Sequence, residues 1–166
     1  MVRAKPEHAG GAPWEADVVD RAAFMELVRE QGDAADARVL GRVFVWADQH
    51  ELRDTWEPKS AHGGSWLPVM KRVEWEPTPI GIESTPPRLF VSGERLRRHH
   101  PFRMDKRWQS VLDQLHEVRG VARTENDLSP NIRLRDLDDD AVWSPFFQVI
   151  EAVMAEVRRS SERGIR

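Results

Sequence analysis

The chain has 166 residues, no cysteine, 40% hydrophobic and 32% charged residues, and a net charge of −3. A domain of this length buries roughly 70% of its extended-chain surface, so one core is the simplest expectation, and without cysteine, disulfides, thiolate metal sites and thiol nucleophiles are excluded. No run of about 18 apolar residues is present and Met1 to Trp14 holds no apolar stretch of signal-peptide type, so a cytoplasmic protein without a membrane-spanning segment is expected.

Residues 1–15 carry Pro6, Gly10, Gly11 and Pro13 with little apolar content, which predicts a mobile tail ahead of one domain over 16–160 and a frayed end over 161–166. From Asp17 the pattern turns helical. Asp17 reads as an N-cap and Asp20 as a first-turn acid, with Val19, Ala23, Phe24, Leu27 and Val28 on one face and Gly32 as the stop. Asp33 caps a second helix with the stripe Ala37, Leu40, Val43, Phe44 and Ala47, which ends near His50. Two helices joined this tightly predict a helical hairpin.

After His50 the period moves towards two. Leu52 to Trp56, Ser65 to Trp75, Ile80 with Ile82, and Leu89 with Val91 read as short strands of a mainly antiparallel sheet between about residues 52 and 92. Pro68 and Lys71 point to an edge or a partly exposed strand. Asp105 opens a third helix with Trp108, Val111, Leu112, Leu115 and Val118 inward and Gly120 after its end. Ile132 and Leu134 mark an extended segment. The last helix is expected to use Ser144 as N-cap and Pro145 as its first residue, in preference to a start near Asp139 with a kink at the proline. The fold class is therefore α+β: an N-terminal helical hairpin, a small antiparallel sheet and two C-terminal helices.

No phosphate loop, HExxH, GxSxG or dinucleotide fingerprint is present. Gly63-Gly64-Ser65 reads as a plain turn, because no helix follows to supply aligned N–H groups. Glu57-Pro58-Lys59, near Asp54, has the acid-x-Lys spacing of a metal-dependent nuclease, but a proline between the two breaks a central strand, and a solvated loop is the simpler reading. Of the six histidines only His99-His100 are adjacent, and neighbouring side chains diverge, so neither a metal nor any other cofactor is expected. The seven tryptophans should be mostly core, with one or two left to line a groove.

The distinctive chemistry lies between Arg88 and Arg107. Seven basic residues, Arg88, Arg95, Arg97, Arg98, Arg103, Lys106 and Arg107, face two acids, Glu94 and Asp105, with His99 and His100 adding charge below about pH 6.5. Arginine forks suit phosphate oxygens, and Phe102 or Trp108 is placed to stack on a base. The plainer reading is that these side chains solvate a connection and pair with the chain's acids.

Val45-Trp46-Ala47-Asp48, Gly64-Ser65-Trp66-Leu67-Pro68, Pro101-Phe102 ahead of a helix ending at Gly120, and Pro130-Asn131-Ile132-Arg133-Leu134 ahead of a last amphipathic helix occur in an order that resembles an uncharacterised prokaryotic α+β domain family. Members look like companions of restriction, defence and DNA-processing modules, which implies a bacterial, nucleic-acid setting. Three classes of function stand: an accessory module binding nucleic acid or another polyanion, an interaction domain for an acidic protein, and a metal-dependent nuclease.

Overall fold

Asp20 starts the first helix, because its carboxylate accepts from the Ala23 N–H at 2.8 Å and so fills one of the donors that a helix start leaves open. In the computed structural model, which describes residues 20–59, 63–73, 75–123 and 128–164, helix α1 spans Arg21–Gln31. The cap falls three residues later than the sequence pattern placed it. Asp17, Val19 and the expected mobile tail over 1–15 lie outside the described residues. Helix α2, Ala34–Gln49, has the reciprocal cap expected of Asp33: its carboxylate accepts from the N–H groups of Ala35 and Asp36, and the Asp36 carboxylate accepts from the Asp33 N–H. The expected hairpin is present.

The remaining elements are β1 (Leu52–Arg53), β2 (Trp56–Lys59), β3 (Gly63–Trp66), β4 (Val69–Met70), β5 (Ile80–Ser84), β6 (Pro87–Val91), α3 (Gly93–Leu96), α4 (Asp105–Glu117), β7 (Asn131–Arg133), a 3₁₀ segment (Leu134–Asp138) and α5 (Asp140–Glu162). Five strands form an antiparallel sheet in the order β2-β3-β5-β6-β7, while β1 and β4 pair separately. The stretch from Ser65 to Trp75 is not one strand. Pro68 has no N–H for a ladder, so the chain leaves the main sheet after Trp66, and Val69 and Met70 pair instead with Arg53 and Leu52. The main sheet also reaches beyond residue 92, because Ile132 pairs with Leu89 in its fifth strand. Leu134 enters the 3₁₀ segment rather than a strand. Pro58 lies in β2, at the edge of the sheet, where the missing donor costs no ladder bond.

The pleat decides what this sheet buries. Register pairs Ile82 with Leu89 and Ile80 with Val91, and these four side chains enter the core with Phe24 and Val28 of α1 and Leu40 and Val43 of α2. Helix α4 contributes Leu112 and Leu115, 2% and 0% exposed, as its apolar stripe predicts.

Helix α5 departs from expectation at its start. Asp139, not Ser144, is the N-cap, with its carboxylate accepting from Ala141 N–H at 2.9 Å and its carbonyl from Val142 and Trp143. Pro145 lies inside the helix. The earlier start places Val142 on the same side as Phe146 and Val149, all buried, and that burial outweighs the single backbone bond a proline removes. The helix continues past Ser160 to Glu162. Among the described residues no helix is long and apolar enough to cross a membrane.

Candidate nucleic-acid interface

Between β6 and α4 the chain makes a short amphipathic coil that sequence periodicity did not reveal. Helix α3 has only four residues, and further turns follow it: Arg98 N–H donates to Arg95 O at 3.3 Å and Arg103 N–H to His99 O at 2.8 Å. Leu96, Phe102 and Trp108 point inward, at 0%, 0% and 3% exposure. Burying those three side chains drives the intervening basic residues outward. Arg95, Arg98, Arg103, Lys106 and Arg107 are exposed, and Arg97 is half-buried. Gly93 permits the coil to lie close, because a side chain there would overlap the Trp108 ring and the Leu128 carbonyl.

Two of the expected roles change. Phe102 and Trp108, 0% and 3% exposed, present no ring face for a base to stack on; hydrophobic burial takes both residues that the stacking reading offered. Arg88 lies away from the other basic residues. It stands on β6, bonds Glu83 at 2.6 Å, and lines a separate cleft of about 830 Å³ with Asp33, Asn131 and Arg133. None of these residues lines the cleft beside Arg95 and Arg98.

Most of the remaining basic side chains have partners. Arg97 donates to Asp105 at 2.5 Å, Arg98 to Glu94 at 2.9 Å, and Arg95 to Glu57, while Arg107 lies 3.4 Å from Glu156. These pairs are largely exposed, where such contacts contribute about 0–1 kcal/mol and yield readily to a stronger anion. Arg103 and Lys106 form no ion pair among the described residues.

Beside α3 is a cleft of about 340 Å³ lined by Trp75, Thr78, Arg95, Arg98 and His99. The Trp75 and His99 rings stack with centroids 3.9 Å apart and planes 14° from parallel. Burial, and then the neighbouring Arg98 charge, lowers the His99 pKa below its ordinary 6.5. His99 therefore adds positive charge only at lower pH than its free value implies. Trp75 and Thr78 carried no signal as site residues in sequence, because they lie on the far side of β5 and β6 from the basic stretch and only the tertiary fold brings them to it. The general expectation that a tryptophan would line a groove applies to Trp75.

The acid-x-Lys element has a different setting from a nuclease site. Asp54 accepts from Arg21 Nε at 2.8 Å, Arg21 Nη2 at 3.0 Å and Trp66 Nε1 at 2.9 Å, which occupies its carboxylate, and Glu57 is held by Arg95. Among the described residues no group of three or more His, Asp or Glu side chains converges as metal ligands would.

Comparison of the chain with protein-family models, with curated proteins and with solved structures finds no match.

Proposed function

We propose that the chain is a non-catalytic accessory module that binds nucleic acid through the coil from Arg95 to Arg107. The observation that carries this reading is the sorting of side chains within one short segment: Leu96, Phe102 and Trp108 inward, five basic side chains exposed and Arg97 half-buried. A segment so arranged offers phosphate oxygens several guanidinium forks at once, and exposed carboxylates paired to them are displaceable. The chain's overall acidity is no obstacle, since association is governed by the local surface.

Arg103 and Lys106 provide the cleanest test, because changing them breaks no ion pair among the described residues. The double reversal Arg103→Glu with Lys106→Glu should weaken oligonucleotide binding and lower the salt slope by about two, one for each phosphate no longer neutralised. Its melting temperature should stay close to wild type, as for surface changes away from partners. No oligonucleotide binding by the wild-type chain at about 50 mM salt defeats the reading. One observation favours a second reading, an acidic protein as partner: Arg95, Arg97, Arg98 and Arg107 already hold carboxylates. That reading gains if the same double reversal abolishes capture of a nuclease-resistant partner while oligonucleotides do not bind.

A further inference from the structure

Buried polar atoms without partners gather around α3. Thr78 and Ser92 are 1% and 4% exposed, and neither hydroxyl makes a hydrogen bond. The chain entering β5 and the chain leaving β6 adjoin there, with Ser92 N–H donating to Pro79 O at 3.0 Å. Arg97 Nε and His100 Nδ1, from the coil that follows, are likewise buried and unpartnered. Such atoms are uncommon in folded proteins, and one that stands beside a cleft has a ligand as a natural partner; of these four, Thr78 stands beside one. Thr78 lines the 340 Å³ cleft, together with Arg95 and Arg98 one turn apart and the stacked Trp75–His99 pair.

We propose that this cleft binds one nucleotide, with the phosphate held by Arg95, Arg98 and the Thr78 hydroxyl and the base against the Trp75–His99 pair. The volume lies at the small end of the roughly 300–1,000 Å³ range of small-molecule pockets, so it admits a single unit rather than a folded strand. The lining carries both signs of charge. Two arginines match a phosphate, whereas Glu76 and Glu94 are poor neighbours for a bare anion and good acceptors for amino groups of a base or hydroxyls of a sugar. A stacked aromatic wall offers a π-face that every base can use. Arg98 reaches the phosphate by exchanging its pair with Glu94, in which both side chains are 67% exposed.

The inference rests on the nucleic-acid reading and narrows it to one nucleotide, of a strand or free in solution. Its test uses the ¹⁵N-labelled full chain. The Trp75 indole N–H signal is assigned with Trp75→Phe, and the protein is titrated separately with AMP, inorganic phosphate and a single-stranded oligonucleotide. AMP should move the Trp75 signal and bind at least tenfold more tightly than phosphate, as stacking on one ring pair implies. Thr78→Val should weaken AMP roughly tenfold, the loss of one hydrogen bond to a charged group, while the ligand-free protein melts no lower than wild type, because an unpaired hydroxyl has been removed. Arg98→Gln gives the same reading if Thr78→Val does not fold. AMP binding that leaves Trp75 unmoved, or that is unchanged in both variants, overturns the site; so does phosphate binding as tight as AMP. Oligonucleotide binding that leaves Trp75 unmoved and is lost in the Arg103/Lys106 reversal overturns the cleft and keeps the nucleic-acid surface. AMP binding without oligonucleotide binding keeps the cleft and removes that surface, and binding of neither removes both.

Discussion

Arg21 shows how one side chain can hold three segments. Its guanidinium donates to Asp48 at the end of α2 and to Asp54 beyond β1, and it lies 4.7 Å above the Phe44 ring. These carboxylates hold Arg21 above its ordinary pKa, and Arg21 in turn lowers that of Asp48. Asp54 also accepts from the Nε1 of Trp66, which is wholly buried. Asp54→Ala therefore strands a buried indole N–H, and urea unfolding should show a loss of about 1–3 kcal/mol. His99 supports a pH prediction. A histidine whose folded pKa is depressed binds fewer protons folded than unfolded, so stability is full above its ordinary value of 6.5 and is lost as pH falls through the window below it. Asp33, Asp48 and Asp139 are lowered in pKa and begin to cost stability only further down, in the carboxylate range. Arg95, Arg98, Glu94 and Glu76 are the charged groups that line the same cleft as His99. Thermal melts at pH 7 and about 5.5 should therefore differ less for His99→Phe, which preserves a ring against Trp75, than for wild type.

At the scale of elements, α5 illustrates competition between a local preference and a packed face. Ser144-Pro145 has the form of a helix start, yet the helix begins at Asp140. Val142 and Trp143 lie ahead of the proline, and a start at Ser144 would remove Val142, 2% exposed, from the helical stripe. The proline remains as an internal defect that leaves the Ala141 carbonyl without its usual donor. Pro145→Ala should thus stabilise the protein by about 1–2 kcal/mol, the helical gain less the entropy that proline removes from the unfolded chain. A denaturant midpoint no higher than wild type would mean that the helix already bends to relieve the defect. The coil at α3 is the converse case. Its four-residue helix carries no periodic signal, and it exists because Leu96 and Phe102 are pulled into the core.

Across the whole molecule, Asp36 connects distant parts of the chain. Buried at 4% exposure, it accepts from Asp33 N–H at 3.0 Å in the cap of α2 and from Arg135 N–H at 2.9 Å in the 3₁₀ segment, 99 residues away. Asp36→Ala should cost about 2–4 kcal/mol, since it releases one capping bond and one long-range bond to a carboxylate together. An unfolding loss below about 1 kcal/mol would show that the 3₁₀ segment is held by Leu134 and Leu137 alone.

What the sequence alone determined is what short-range chemistry controls. The Asp33 cap, the helical stripes of α2 and α4, the strands around Ile82 and Leu89, and the α+β class all follow from side-chain period and capping, which need only a few neighbouring residues. The tertiary structure decided the rest, because it depends on which distant side chains meet. Pairing with Leu89 makes Ile132 part of the sheet, burial removes Phe102 from any role in stacking, and carboxylates from five separate elements divide the basic stretch. The cleft joining Trp75 and Thr78 to Arg95, Arg98 and His99 is likewise a product of long-range packing, formed where the chain entering β5 meets the chain leaving β6, and no local pattern encodes that meeting.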